Sequence, residues 1–173
     1  MGGLFAWIST AAFVLQDVFG LSAFAFGLAF AVASSGYLVG TGIAVRVVMI
    51  WGSGRTMGVG AIIMALGGLA TIAATAIGWN LVAALIVTVG IYMIGMGMVL
   101  PQAQAGALLP FPDRAGAASS VVGFVAQTSA AVIGAALGHL IGSTAWPLAL
   151  AMAAAGCLAL LLWATTRGVR VYR

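Results

Sequence analysis

Long apolar runs separated by short polar turns dominate this sequence. Of its 173 residues, 64% are hydrophobic and only 5% are charged, and the mean hydropathy is +1.25. A soluble domain of this length needs several times more charge to cover its surface. The runs also lack the apolar–polar alternation of membrane strands. We therefore predict an all-α membrane protein, whose helices satisfy their own backbone hydrogen bonds in lipid.

The runs predict six membrane-spanning helices in one domain that covers residues 1–173. The first run holds about 15 residues, or ~22 Å of helix, which is short for a hydrocarbon core of ~30 Å. Gly36, Gly40 and Gly42 in the second run indicate close contact with another helix. Pro101 predicts a kink or a local break in the fourth. The predicted spans are residues 2–16, 22–45, 56–77, 81–109, 115–141 and 148–165.

Three of the four prolines lie in the stretch 98–120. Two of them, Pro110 and Pro112, disfavour the α conformation in the residue before each, so a helix should end near Leu109. Asp113 is then expected in the first turn of a new helix, where its charge meets the positive helix end. Other connections are predicted at residues 17–22, 46–55, 78–80 and 142–147.

The sequence has six arginines and no lysine, and the net charge is +4. With six spans, every arginine falls in a connection on the same side: Arg46, Arg55, Arg114, Arg167, Arg170 and Arg173. The positive-inside rule places that side, and with it both termini, in the cytoplasm of a cell whose plasma (inner) membrane holds the protein. Scattered arginines indicate orientation in the lipid bilayer and not nucleic-acid binding. The spans also form two three-helix units of opposite direction, a transporter pattern.

Two segments carry a family resemblance. LPQAQAGALLPFPDRAGAASSVVGF is similar to the end of helix ten and the start of helix eleven in drug-resistance transporters of the Bcr/CflA group, in the major facilitator superfamily. FVLQDVFGLSAFAFGLAFA resembles the group's end of helix seven and start of helix eight. The matching residues are Pro112, Ala115, Gly116, Ala118 and Ser119 in the first segment, and Phe13, Gln16, Gly20, Leu21, Ser22, Phe26 and Gly27 in the second.

The resemblance covers essentially the whole chain but only the last six of the family's twelve helices. It implies the C-terminal half of a major facilitator fold, a 3+3 inverted repeat. The N-terminal half is then expected on a partner chain, or is missing through truncation or a start-site error. The segment Gly52–Arg55 keeps the Gly-x-Gly-Arg part of a superfamily loop but lacks its aspartate, so we expect no charge relay there.

The function that the resemblance implies is proton-coupled export of small apolar or amphipathic drugs, with no activity in the absence of the other half. Uncharged polar and aromatic residues on the cavity-facing helices are the substrate candidates: Gln16, Tyr92, Gln102, Gln104, Phe124 and Gln127. Met93 or Met96 could adapt to several ligand shapes. Each glutamine has an alternative role as a hydrogen-bonding partner of a neighbouring helix.

A non-transporting membrane scaffold or assembly subunit is the rival function. Asp17, Asp113 and His139 are all expected near the membrane surfaces, so the proton carrier would belong to the other half. Cys157 is the only cysteine, and the sequence has no phosphate-binding loop, metal-ligand cluster or nucleophile–base pair. We therefore expect no enzyme activity, cofactor or metal.

Overall fold

The structure, a computed structural model, describes residues 2–77, 82–140 and 145–166, and the side chains of all of these except 138–140. Every regular element in these ranges is helical. The elements are α1 (Gly2–Ala12), a π-helical turn (Phe13–Val18), α2 (Ala23–Ala76), α3 (Val82–Leu108), a 3₁₀ turn (Pro112–Arg114), α4 (Ala115–Leu140) and α5 (Trp146–Thr165). The predicted all-helical class is confirmed.

Four described stretches are long and apolar enough to cross a membrane. These are Ala23–Ala76, Val82–Leu108, Pro112–Leu137 and Trp146–Thr165, and a shorter apolar stretch covers Gly2–Val18. Such helices are typical of a multi-pass membrane protein. The number of separate crossings depends on α2, whose 54 residues far exceed the thickness of one bilayer.

Gly52 divides α2 into two limbs, residues 23–51 and 53–76. Its backbone has φ 76° and ψ 164°, a conformation that is open to glycine but strained for residues with a side chain. At 1.5 Å per residue the limbs are about 43 Å and about 36 Å long. Each limb therefore exceeds the ~30 Å of a hydrocarbon core.

The first limb runs parallel to α3. A Cβ atom at Gly36 would overlap the carbonyl oxygen of Gly90, and one at Gly40 would overlap that of Ile94. Residue numbers increase in the same direction along both helices, so the two helices are parallel. Gly36 and Gly40 thus make the predicted close contact, whereas Gly42 faces open space with no atom within 4 Å of an added Cβ.

The second limb runs antiparallel to α3. A Cβ atom at Gly60 would lie 2.8 Å from Cβ of Met98, and one at Gly67 would lie 2.7 Å from the backbone nitrogen of Tyr92. Higher numbers on the limb thus meet lower numbers on α3. Since the two limbs have opposite directions against the same helix, the chain reverses at Gly52.

α5 packs along the other side of the second limb. Gly68 contacts the backbone of Ala153, and Gly156 contacts the backbone of Met64, so these two elements are antiparallel. Glycine on one side of each contact lets the backbones approach without intervening side chains. The second limb is consequently covered by α3 on one side and α5 on the other.

The first helix is short and begins halfway along the bundle. Gly3 contacts the hydroxyl group of Tyr92, which lies in the middle of α3. Trp7 stacks on Phe30 of the first limb, with ring centroids 5.7 Å apart and planes 7° from parallel. The chain then turns, and the Ser22 side chain caps the first limb by accepting a hydrogen bond from the backbone N–H of Ala25 at 3.3 Å.

α4 is the least covered of the long helices. Only Ala130 and Leu137 are buried among its described side chains. Its main contacts are with α1, through Gly2 against Ile133 and Gly134 against Ser9. One side of α4 is therefore attached to the bundle, and most of its surface lies outside it.

The described arginine-bearing segments lie at one end of the bundle. The Ser53 hydroxyl donates to Oε1 of Gln102 at 3.0 Å, which joins the reversal of α2 to the last quarter of α3. The Trp163 indole N–H donates to the carbonyl oxygen of Gly54 at 2.8 Å, which joins the end of α5 to the same region. Arg46, Arg55 and Arg114 accordingly share this end; residues 167–173 lie outside the described ranges.

Two predicted connections differ from the structure. The predicted connection at 46–55 is present but much shorter than predicted, because helix continues on both sides of Gly52 and one glycine makes the whole reversal. Asp17 is not in a loop but in the π-helical turn, and the non-helical connection is confined to residues 19–22. Both corrections have one physical reason: keeping backbone hydrogen bonds inside a helix is favoured when solvent is lipid.

The predicted limits near the prolines are largely confirmed. α3 ends at Leu108, next to the predicted Leu109, and α4 begins at Ala115. Asp113 lies in the 3₁₀ turn immediately before α4 and not in its first turn. Of the kink or local break predicted at Pro101, the break is wrong, since α3 is helical throughout with the proline inside it.

The last predicted turn ends earlier than expected. α5 begins at Trp146, with Pro147 in its first turn. Backbone N–H groups in the first turn have no acceptor within the helix, so the N–H that proline lacks is not missed there. It ends at Thr165, as predicted. The predicted connection at 78–80, residue 81, and residues 141–144 lie outside the described ranges.

The glycine contacts predict a sharp difference between two neighbouring positions. Gly40→Ala should lower the free energy of unfolding by about 2 kcal/mol, because the added methyl group overlaps the backbone of α3. The matched variant Gly42→Ala should cause no loss, because its methyl group enters open space. Equilibrium unfolding in mixed micelles measures both. Equal losses at the two positions would contradict the described packing of the first limb.

Candidate functional site

Tyr92 lies at the centre of the bundle. Its side chain is fully buried, and its hydroxyl group makes no hydrogen bond with any residue that the structure describes. The hydroxyl reaches Gly3 of α1, where a larger residue would collide with it. A buried hydroxyl without a partner has a free-energy cost of about 1–3 kcal/mol, so a hydrogen-bond acceptor at this position would be stabilising.

An apolar cavity of about 480 Å³ lies next to Tyr92. Its walls come from the start of α1, the second limb of α2, α3 from Tyr92 onward, α4 at Ile133, and α5. Its lining includes Gly3, Met64, Met96, Ala103, Leu158 and Leu162. Among the described residues, Tyr92 contributes the only polar side chain to the lining, and no charged residue takes part.

The cavity opens toward the outer surface of the bundle. Leu158 and Leu162 line it, and their side chains are 56% and 57% exposed. In a membrane this surface faces lipid or another protein. Molecules dissolved in the hydrocarbon layer can therefore reach the cavity without crossing water.

A second cavity, of about 580 Å³, adjoins the first toward the arginine-bearing end. Both cavities are lined by Val99, Ala103, Ala159 and Leu162. Gln102 lines the second cavity, and its Oε1 accepts the hydrogen bond from Ser53. Of the six candidate residues, Tyr92 and Gln102 thus line adjoining spaces, about 15 Å apart along α3.

A third space, of about 560 Å³, lies between α1, the first limb and α3. Met93 and Ser34 line it, and the Ser34 hydroxyl has no hydrogen-bond partner among the described residues. Met96 lines the Tyr92 cavity instead. The two candidate methionines therefore lie in different cavities.

The other four candidate residues do not join Tyr92 and Gln102. Gln16 is half-buried in the π-helical turn at the opposite end of the first limb. Gln104, Phe124 and Gln127 are exposed on the outside of α3 and α4, and Phe124 is 72% exposed. The structure thus divides the candidates between internal cavities and an external surface.

The described acidic side chains lie away from these cavities. Asp17 and Asp113 are both exposed near helix ends. The backbone of His139 belongs to α4, and its side chain lies outside the described part of the structure. Within the described residues, no group of three or more His, Cys, Asp or Glu residues could hold a metal ion.

Sequence reasoning missed several residues that shape the cavities. Gly3 and Met64 border the Tyr92 cavity, and Ser53 fixes Gln102. Gly3 carried a usable signal, because a glycine near a helix start in an apolar run permits close approach. Nothing in the spacing of Ser53 and Gln102, 49 residues apart, indicated that they form a pair.

Comparison of the chain with family models, with curated proteins and with solved structures gives no match. The resemblance to the Bcr/CflA group rests on the residues named above.

A double-mutant cycle measures the role of Gln102 in packing. Ser53→Ala and Gln102→Ala should each destabilise the protein, and the two effects should overlap by about 1 kcal/mol, because either change removes the same hydrogen bond. Unfolding in mixed micelles gives the four free energies. Strict additivity would mean that the Ser53–Gln102 bond contributes no stability.

Proposed function

We propose that this chain is one six-helix half of a multidrug efflux transporter similar to those of the Bcr/CflA group. In this proposal the two limbs of α2 cross the membrane separately, and α1 with the π-helical turn forms a further span. The chain lies in the plasma (inner) membrane with both termini in the cytoplasm. Transport of small apolar or amphipathic drugs, coupled to protons, requires the other half on a partner chain.

The observation that carries this proposal is the uncovered polar surface of α4. Gln127 lies midway along this membrane-length helix, is exposed, and makes no hydrogen bond with described residues. An amide exposed to hydrocarbon has a free-energy cost of several kcal/mol. A second helical half, or a water-filled path between two halves, would satisfy that amide.

Two further features support a transporter half. The described arginines share one end of the bundle, which agrees with a single cytoplasmic side. The cavities beside Tyr92 and Gln102 have apolar walls and volumes within the range of ~300–1,000 Å³ that small-molecule sites occupy. Both features are expected of a protein that binds apolar compounds within the membrane.

A membrane scaffold remains the rival proposal, and the Ser53–Gln102 bond favours it. There a glutamine from the substrate candidates acts between helices, as a purely structural residue would. The scaffold proposal expects changes at Gln16, Gln102 or Gln127 to alter stability without altering drug binding. The transporter proposal expects Gln127→Leu to leave the bundle stable and to weaken association with the other half.

Drug accumulation in cells tests the need for another half. Expressed alone in a pump-deficient bacterial strain, the chain should reach the membrane fraction yet leave accumulation of the neutral dye Nile red unchanged, because no pathway between two halves exists. Coexpression with a six-helix N-terminal half of a Bcr/CflA-like transporter should reduce accumulation. An empty vector and the Gln127→Leu variant are the controls.

Efflux by the chain alone would refute the requirement for a second half. If coexpression produced neither association nor efflux, the scaffold proposal would replace the transporter proposal.

A further inference from the structure

We propose that the cavity beside Tyr92 binds a neutral, largely apolar small molecule that carries one hydrogen-bond acceptor, such as a carbonyl or sulfoxide oxygen, and that the Tyr92 hydroxyl donates to it. That this ligand is a transported substrate rests on the proposed function. Binding of the ligand to the cavity requires only the helix bundle.

The hydroxyl of Tyr92 determines the polar part of the ligand. It is buried within the bundle, it has no partner among the described residues, and it reaches Gly3 at the boundary of the cavity. A tyrosine hydroxyl is a good donor, and it stabilises an acceptor most strongly where water is absent. The hydroxyl has no accessible surface, so a ligand oxygen in the cavity would satisfy it after a local shift at Gly3, which lies against it.

The walls determine the remainder of the ligand. Apart from Tyr92, the lining consists of glycine, alanine, methionine and branched aliphatic residues. A charged ligand would find no counter-ion there, which excludes cationic and anionic drugs from this cavity. Met64 and Met96 provide flexible, polarisable surfaces that fit aromatic rings of different shapes.

The opening indicates how such a ligand arrives. The exposed Leu158 and Leu162 place the mouth of the cavity on the lateral surface of the bundle. A neutral apolar compound concentrates in the bilayer and would enter from there. A lipid acyl chain could use the same mouth, but it offers no acceptor at the depth of Tyr92.

Photolabelling with benzophenone tests the site in the isolated chain, reconstituted in lipid nanodiscs. Its excited carbonyl abstracts a hydrogen atom from a nearby C–H group, often of methionine, and the two carbon radicals then combine. Labelling should be stronger at Met64 and Met96 than at Met49, which is 87% exposed and reports ligand dissolved in lipid. Peptide mass spectrometry measures all three positions.

Tyr92→Phe keeps the ring and removes the donor. Labelling of Met64 and Met96 should fall about fivefold, as expected for one lost hydrogen bond, while labelling of Met49 should stay unchanged. Diphenyl sulfoxide should compete with benzophenone better than diphenylmethane does, and this preference should disappear in Tyr92→Phe. Ala103→Phe, which fills the cavity from an exposed position, should abolish cavity labelling without touching Tyr92.

Cavity labelling that is no stronger than at Met49 would refute a binding site. Cavity labelling that is unaffected by Tyr92→Phe would refute the hydrogen-bonded ligand and identify a non-specific apolar site, such as one for acyl chains. Because these measurements require no transport, a positive result stands even if the accumulation experiment refutes the transporter half, and a negative result leaves that experiment open.

Discussion

Close approach of helix backbones at glycine organises this protein. Inside a bilayer, apolar side chains gain little by leaving lipid for protein, so contact area and backbone proximity must hold helices together. α3 satisfies this requirement on two sides. Gly36 and Gly40 allow its backbone to contact the first limb closely, and Gly60 and Gly67 do the same on the second limb. The three helical segments then form a dense unit, to which α5 is added by the same kind of contact.

The dense unit leaves the rest of the bundle comparatively open. α1 meets α3 at Tyr92, and α4 touches the bundle mainly through α1. Between the start of α1 and the arginine-bearing end, the surfaces of α3 and α5 face each other across two adjoining cavities. Rigid packing at glycines and open space beside Tyr92 are thus two results of one arrangement, in which a ligand can be held without disturbing the packed helices.

Much of the architecture was predictable because proline and glycine act locally. Pro110 and Pro112 mark the end of α3 through a steric clash with the preceding residue, and Gly36 and Gly40 mark a helix contact through the missing side chain. The reversal at Gly52 was not predictable in form. The polar residues around it are typical of a loop. The chain instead turns through one residue with a positive φ and keeps its helical hydrogen bonds on either side. Which glutamine points inward was equally inaccessible, because helix rotation depends on contacts distant in sequence, such as Ser53 with Gln102.

The separation of α2 into two crossings is the central claim, because the common side of the arginines depends on it. Single cysteines at positions 55 and 114 in a Cys157→Ser background, labelled with a membrane-impermeant maleimide in right-side-out and inverted vesicles, test it directly. Arg55→Cys and Arg114→Cys should react from the same side, and Asp17→Cys should react from the other. Reaction of positions 55 and 114 from opposite sides would contradict the account.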